Sequence, residues 1–380
     1  MLCSEDDVMQ NVRMKILHIN CNYLTTALHQ TMVRHLSACG IENSVFAPAY
    51  SLNNCVIKPD DYVTAAECFN KWDRINYHGK QKKIFAAVDN SFNIKDFDAV
   101  HAYTLFTDGG IALKLKQKYG IPYVVAVRGT DVHTFLKYMP HLRSYGFSVL
   151  REASRVFFLS EAYMNRTLAY IPPIYREEIK NKSEIIPNGI DDFWIDNKAE
   201  AVKPADEKSI DVFYAGKINS QKCWTKTVEA CRELIHRGYN ASYTLVGSVQ
   251  DKKFEKYLAD NTFMKHYPPM NKEQLIEYYR KSDIFIMPSK NETFGLVYAE
   301  AMSQGVPVLY TKNEGFDGYF KDGEVGYAIS CTDAQNIADK AELAMREHAR
   351  IAENCIKNAD RFRWADIAKR YCDIYSEILK

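Results

Sequence analysis

Two glutamates eight positions apart bracket a helix start in the stretch Pro288-Ser-Lys-Asn-Glu-Thr-Phe-Gly-Leu-Val-Tyr-Ala-Glu-Ala-Met-Ser-Gln-Gly-Val-Pro307. The stretch leaves a buried strand, turns, and opens a helix at about Gly295. The first N–H groups of such a helix, here those of Phe294, Gly295 and Leu296, lack intrahelical partners and stand at the positive end of the helix dipole. That arrangement suits phosphate or crowded sugar hydroxyls, and a glycine lets a ligand approach the backbone closely. Eight residues of helix between Glu292 and Glu300 would span about 12 Å. Glycosidase carboxylate pairs are roughly 5 to 9.5 Å apart. The spacing instead suits one carboxylate at each end of an extended ligand. Either glutamate alone also fits a plainer role, Glu292 as a helix cap and Glu300 on a solvated face.

A second group lies in Tyr214-Ala-Gly-Lys-Ile-Asn-Ser-Gln-Lys222, where Lys217 and Lys222 fall on the loop leaving a strand. Two cations with no acidic neighbour would suit a diphosphate; two solvated surface lysines are the alternative. His101 stands alone at a strand end, where a histidine is more often structural. Residues 69–83 mix aromatic residues with Lys71, Arg74, Lys80, Lys82 and Lys83. Such a segment can lie on an anionic membrane surface, or be an ordinary amphipathic helix over a sheet.

The elements that must position these groups alternate along the chain. Strands are expected at Lys15–Asn20, Asn43–Ala47, Asp98–Tyr103, Tyr123–Val127 and Arg155–Leu159, each beside a helical stretch such as Thr25–Cys39. After the turn Ile186-Pro-Asn-Gly-Ile-Asp191 and a polar stretch, the pattern restarts at Ile210. Strands 210–216, 242–246, 283–287 and 307–310 then alternate with helices 225–237, 271–281 and 295–304. Strands interleaved with helices imply parallel βαβ units and doubly wound sheets, whose ligands sit outside the C-terminal strand ends. The expectation is two Rossmann-like α/β domains divided near residue 190 and facing a cleft. Domain bounds of 14–188 and 189–361 follow. An amphipathic C-terminal helix, 362–380, carries Trp364, Ile367, Ala368, Tyr371, Tyr375 and Ile378 at helical spacing.

Composition narrows the function. Of 380 residues, 47% are hydrophobic and 26% charged, an ordinary globular balance. Lys plus Arg total 49 against 48 acidic residues, so no chain-wide attraction to nucleic acid exists. The ten cysteines form no CxxC and have no histidine cluster, which points to free thiols in a reducing cytosol rather than to zinc. Glu5, Asp6 and Asp7 stand where a signal peptide would be basic and then apolar, and no stretch approaches the roughly 20 apolar residues of a membrane span. No GxGxxG, Walker A, HExxH or GxSxG sequence occurs.

In this setting the chain resembles retaining glycosyltransferase family 4, of the GT-B fold, from Met14 to the last helix. Ile185-Ile-Pro-Asn-Gly-Ile-Asp191 resembles the family's interdomain linker. Gly216-Lys217 with Lys222 resembles its Gly-Arg followed by Lys, and Leu245-Val-Gly247 its strand ending near the nucleotide. Tyr278-Tyr-Arg-Lys-Ser-Asp-Ile-Phe-Ile-Met-Pro-Ser289 runs into its paired-glutamate signature. Gly305-Val-Pro-Val308 and Asp322-Gly-Glu-Val-Gly326 follow in order. His101-Ala-Tyr103 stands where the family often shows His-x-His, and Arg128-Gly-Thr-Asp131 resembles a loop that often reads His-Gly-x-Asp.

The resemblance implies roles. Glu292 would hold donor-sugar hydroxyls and Glu300 the ribose. Lys217 and Lys222, beside Gly216 and Gly247, would neutralise the diphosphate. Thr293, Phe294, Gly295 and Leu296 would contact sugar or phosphate, and Pro269 lies where family members meet the base. His101, Tyr103 and Asp131 would join Glu292 among the catalytic groups, with Arg128 toward the acceptor. The implied activity is transfer of a sugar, with retention and without a metal or other cofactor, from a UDP-, GDP- or ADP-sugar to a glycan or lipid-linked acceptor. It belongs to cell-surface polysaccharide or glycolipid synthesis, in the cytoplasm or at the inner face of the membrane. A nucleotide-sugar epimerase, a phosphorylase, or a non-catalytic nucleotide-sugar-binding subunit are the alternatives.

Overall fold

The computed structural model describes residues 14–74 and 76–380. Cys3, the acidic residues 5–7, Ile75 and the side chain of Arg74 lie outside the described residues. The chain forms two compact units. One takes the stretch up to Ala126, Ser148–Val156 and Ala368–Lys380; the other takes Val127–Phe147 and Phe157–Ile367. Two Rossmann-like α/β domains result.

The first sheet contains β1 (Lys15–Ile19), β2 (Glu42–Ala49), β3 (Val63–Glu67), β4 (Ala99–Ala102), β5 (Tyr123–Val127), β6 (Arg155–Phe158) and β7 (Ser183–Ile185). Their order is β3-β2-β1-β4-β5-β6-β7. β1 pairs in parallel with β2 (Lys15 opposite Glu42) and with β4 (Ile16 opposite Ala99). All five residues of β5 are buried, as expected of a central strand covered on both faces.

The second sheet contains β8 (Ser209–Ala215), β9 (Asn240–Val246), β10 (Met264–Tyr267), β11 (Ile284–Ile286), β12 (Val308–Thr311) and β13 (Gly326–Ile329). Their order is β10-β9-β8-β11-β12-β13. β8 is central: Val212 lies opposite Tyr243 on one side and Ile284 on the other, both parallel. The strand order reverses between β1 and β4, and again between β8 and β11. These are the switch points, where the loops leaving adjacent strands diverge and leave a crevice.

β3, β7, β10 and β13 go unforeseen in the sequence, and they are the four sheet edges. β3 reads Val-Thr-Ala-Ala-Glu, with no residue fully buried, and β7 reads Ser-Glu-Ile. An edge strand needs only one partner and little apolar burial, so its composition carries no run to detect.

The C-terminal helix, Trp364–Ile378, begins on the second unit. A Cβ at Gly189 would stand 2.4 Å from the Trp364 ring, so the linker backbone lies directly on that indole. From Ala368 onward the helix belongs to the first unit, as expected of a helix returning to the N-terminal domain. There the hydroxyl of Tyr375 lies 2.6 Å from Nδ1 of His101, both buried.

Tyr375→Phe keeps the ring and removes that bond. We expect a loss of about 1–3 kcal/mol, the cost of stranding a buried polar atom, with nucleotide binding unchanged. Urea unfolding read beside nucleotide affinity tests this. An unchanged midpoint would deny the bond its anchoring role.

Candidate active site

The loop after β8 is held from beneath. The buried Tyr214 hydroxyl donates to the Lys217 carbonyl at 2.7 Å, fixing the turn at Gly216 while the Lys217 side chain stays exposed. Gly216 and Gly247 both have positive φ, 145° and 152°. A Cβ on Gly247 would stand 1.8 Å from the Gly216 carbonyl oxygen, so only glycine lets the ends of β8 and β9 approach this closely. Asn219 then caps the short turn Ser220–Lys222, accepting from the N–H groups of Gln221 and Lys222 at 3.1 and 3.3 Å. Cys223 follows at φ 44°, a left-handed conformation uncommon for a residue with a side chain.

The loop after β11 meets this one across the switch point. The Lys290 N–H donates to the Gln221 carbonyl at 2.8 Å. The Lys222 ammonium reaches the Glu292 carboxylate as a hydrogen-bonded ion pair, with the two side chains only 23% and 15% exposed. Lys222 therefore does have an acidic neighbour, contrary to the sequence expectation; 70 positions of chain separate the two residues, and only the switch point brings them together. Thr293 runs between two glycines. A Cβ on Gly129 would stand 2.4 Å from its Oγ1, and one on Gly315 would stand 2.0 Å from its carbonyl oxygen. The Gly315 N–H donates to the Glu292 carbonyl at 2.8 Å.

The helix that follows covers Leu296–Ser303, with Gly295 at its N-cap at φ 83°. No side chain among the described residues caps it. Phe294 is buried, while Thr293, Gly295 and Leu296 are partly exposed. Since the helix begins at Leu296, the 12 Å rise expected between Glu292 and Glu300 does not apply: only the last part of that interval is helical. Glu300 accepts a hydrogen bond from the Tyr279 hydroxyl at 3.2 Å. Burial pushes its carboxyl up to about 7, which the Tyr279 bond opposes and nearby Asp191 reinforces. Pro269 is exposed, on the loop between β10 and the helix Lys272–Lys281.

The remaining predicted residues precede Gly216 in the chain, and Arg128 and Asp131 flank the Gly129 that abuts Thr293. His101 and Tyr103 are buried in the first unit, their rings stacked 4.3 Å apart. The Tyr103 hydroxyl lies 3.0 Å from His18 Nδ1. His18 in turn meets Asn43 at 2.7 Å, and burial lowers its pKa to about 4. These side chains tie β1 and β4 to the C-terminal helix, and neither presents a surface to solvent. Asp131 is buried too; its carboxylate accepts from the Arg128 N–H at 2.9 Å and so closes the Arg128 loop. Arg128 itself is half-buried.

Four residues in the second unit escape the sequence reading. His133 lies in a single π-helical turn, Asp131–Leu136, with Nε2 2.7 Å from the Tyr163 hydroxyl. Arg166 forks onto Glu314 at 3.1 and 3.0 Å and donates to the Asn313 carbonyl at 2.5 Å. Glu314 could have been found by asking what each C-terminal strand end carries, since it follows β12. A π-turn has no sequence period, so His133 gives no such signal. Among the described residues no three His, Cys, Asp or Glu gather as a metal-binding group, and the described cysteines are free.

Residues 195–362 match the family of glycosyl transferases group 1, and residues 30–192 match Glycosyltransferase Family 4. A D-inositol 3-phosphate glycosyltransferase of Corynebacterium urealyticum is 34% identical over 119 residues, 30% of this chain but only 27% of that protein. An uncharacterized 41.2 kDa protein in the cps region of Klebsiella pneumoniae is 23% identical over 77% of this chain and 82% of its own length. Among solved structures, sucrose-phosphate synthase from Thermosynechococcus elongatus superposes with a TM-score of 0.74 at 17% identity, over 96% of this chain and 99% of that one. Anabaena HepE, in complex with UDP and glucose, gives 0.67 at 16% identity, over 96% and 100%. With parallel sheets of this order, a glutamate-bearing helix start at the second switch point and a family match on each half, the chain has the GT-B fold, its C-terminal half a group 1 glycosyl transferase domain and its N-terminal half a Glycosyltransferase Family 4 domain.

Proposed function

We propose that the chain transfers a sugar, with retention of configuration, from a nucleoside-diphosphate sugar to a glycan or lipid-linked acceptor in cell-surface polysaccharide or glycolipid synthesis. The observation that carries this reading is the half-buried Lys222–Glu292 pair at the second switch point, immediately before a helix start that no described side chain caps. Breaking a sugar–diphosphate bond develops negative charge on the leaving oxygen. Lys222, Lys217 and the N–H groups at the start of Leu296–Ser303 offer positive charge and dipoles already in place, which stabilise that oxygen with little reorganisation. Their number makes a divalent ion unnecessary in this reading. Glu292, on the other side of Lys222, is assigned to the sugar, and Glu300, further along the helix, to the ribose. The leaving phosphate then assists deprotonation of the acceptor on the same face. A complex of HepE with UDP-glucose supports this class of donor without choosing the sugar or base.

Thermal shifts with a panel of UDP-, GDP- and ADP-sugars identify the donor, because binding to the folded state raises the melting temperature. With that donor, in buffer containing EDTA, Glu292→Gln should lower kcat about 100-fold, as for a lost preorganised polar contact, and leave free nucleoside diphosphate affinity intact. Glu300→Ala should chiefly raise the donor KM and weaken the free nucleotide. Full turnover by Glu292→Gln, identical behaviour of the two variants, or a strict need for Mg²⁺ or Mn²⁺ would contradict the assignment.

Glu300 gives a second test, through pH. Its carboxyl is raised from the ordinary value to about 7, so the fold favours the protonated form. The resulting stability is fully present below the unfolded value and is lost as pH rises through about 7. Glu300→Gln should therefore melt above wild type at pH 8, by an amount on the order of 2 kcal/mol, and level with it near pH 4.5. A ribose diol needs the carboxylate as acceptor. Wild-type nucleotide affinity should accordingly rise from pH 6 to pH 8, and stay weak and flat in the variant. Equal melting at pH 8 would refute the buried, uncompensated charge.

A lipid-borne acceptor implies that the first unit meets a membrane surface at the cytoplasmic face. No helix among the described residues is long and apolar enough to cross a membrane. The described part of 69–83 instead exposes Trp72 by 80%. Lys80 lies over the Phe69 ring, whereas Lys83 is engaged with Asp73 at 2.8 Å and contributes less free charge. Trp72→Ala with Lys80→Glu and Lys82→Glu should lower co-sedimentation with phosphatidylglycerol liposomes at least several-fold, with an unchanged thermal shift by the donor. Absence of liposome binding by the wild type would end this part of the proposal.

A further inference from the structure

The turn after β12 is clamped by a residue 148 positions before it in the chain. Arg166, on the helix Glu161–Tyr170, forks onto the Glu314 carboxylate at 3.1 and 3.0 Å and donates to the Asn313 carbonyl at 2.5 Å. Asn313 stands at φ 59°, in the left-handed region that asparagine visits more readily than most residues. The turn is braced from within as well. The Asp317 carboxylate accepts from the Asn313 N–H at 2.6 Å, and the Glu314 N–H donates to the Thr311 carbonyl at 3.2 Å. Gly315, the next residue, is where this turn meets the segment that carries Glu292. Its N–H donates to the Glu292 carbonyl at 2.8 Å. Its backbone lies so close that a Cβ would stand 2.0 Å from the Thr293 carbonyl oxygen and 2.6 Å from the Phe294 nitrogen.

We propose that Arg166 is a positioning residue: by fixing Asn313 and Glu314 it sets Gly315, and through the Gly315 N–H it sets the peptide that carries the Glu292 carboxylate and leads into the N–H groups at 294–296. The inference rests on the reading of Glu292 as the sugar-holding carboxylate. Arg166 itself is assigned no contact with the donor. The path from it to Glu292 is short and stiff. Three bonds from one planar guanidinium fix both the place and the tilt of the turn. Glu314 and Gly315 are consecutive, and the last step is made by main chain alone, with no side chain free to swing. Glu314 is buried, so loss of Arg166 leaves a buried charge without its partner. That carboxylate must then turn toward water, and the residues moving with it are those against Glu292, Thr293 and Phe294. A lysine would keep the charge but lacks the rigid fork that serves two carboxylate oxygens and a carbonyl together.

The test pairs a measurement that needs no substrate with one that does, and includes a control clamp. Arg237 also engages three acceptors in this unit, Glu233, Asp339 and Glu342 at 2.9, 2.7 and 2.9 Å, but these lie on the helices Trp224–His236 and Ala334–Arg346. Amide exchange of the peptide spanning 290–297 is followed by mass spectrometry in wild type, Arg166→Met, Arg166→Lys and Arg237→Met. Arg166→Met should speed exchange of that peptide about tenfold or more, as local opening becomes easier. With the sugar nucleotide that gives the largest thermal shift, its kcat should fall at least about tenfold, while the affinity for free nucleoside diphosphate stays within about twofold. Arg166→Lys should melt close to wild type and fall between the two in exchange and kcat. Arg237→Met should lower the melting temperature yet leave both readings at the wild-type level. Wild-type protection or wild-type kcat in Arg166→Met overturns the proposal. Equal speeding by Arg237→Met overturns it too, since the effect would then be general loosening. If Arg166→Met does not fold, Arg166→Lys decides: faster exchange at unchanged melting supports the role, and wild-type exchange overturns it. If the wild type binds or turns over no sugar nucleotide, the reading of function fails, and the exchange measurement alone still decides the positioning role.

Discussion

Everything at the candidate site depends on one ion pair made between two loops far apart in sequence. Lys222 and Glu292 leave adjacent parallel strands, β8 and β11, and meet where those loops diverge. A half-buried pair of this kind contributes little net stability, because desolvation of both charges offsets most of their attraction. Its effect is on placement. Removing either partner leaves the other partly buried and uncompensated, a much larger penalty, so each holds the other's loop in register. In the proposed reading the pair also joins two chemistries, the cation serving the diphosphate and the anion the sugar. Sharing one hydrogen bond means that neither is fully committed before a ligand arrives.

Backbone approach is the complementary constraint. Gly247, Gly129 and Gly315 each leave room that a single Cβ would take. The first lets the ends of β8 and β9 close on one another; the other two let Thr293 pass between neighbouring loops. The C-terminal ends of β8, β9 and β11 are therefore crowded with main chain and poor in side-chain bulk. Such a surface can offer N–H groups to an anionic, hydroxyl-rich ligand without steric hindrance. The charged side chains on the loops leaving β8 and β11 there are Lys217, Lys222, Lys290 and Glu292.

Central elements were legible in the sequence because their causes are local. Tyr123–Val127 is buried on both faces and reads as a continuous apolar run; Trp364–Ile378 repeats its aromatic residues at helical spacing. The glutamate helix start is legible for the same reason, as strand, turn, glycine and helix follow in one short stretch. The four edge strands were not, because an edge is defined by its one neighbour and not by its own composition. Nor were Lys222–Glu292, Arg166–Glu314 and His133–Tyr163. Each pairs residues whose proximity exists only after the parallel sheets have set which loops leave together. His101 shows the converse. A histidine at the end of a central strand is the same in sequence whether it faces a ligand or Tyr375, and burial alone separates the two.

Glu292 and Glu300 finally show how one short segment prepares two carboxylates differently. Glu292 is ion-paired with the Lys222 ammonium beside it. Glu300 has no cation against it in any described contact, only a phenol hydroxyl and the repulsion of Asp191, and burial lifts it to about 7. An ion pair would have made the second carboxylate more comfortable in the fold and a poorer acceptor for ligand hydroxyls, since its lone pairs would already be engaged. In the proposed reading, leaving it weakly solvated places the cost in the empty protein and returns it when a diol supplies two donors. The same helix start thus carries one carboxylate paired with a cation and one set by desolvation, and it is that difference in environment, more than their spacing, on which their assignment to opposite ends of one donor rests.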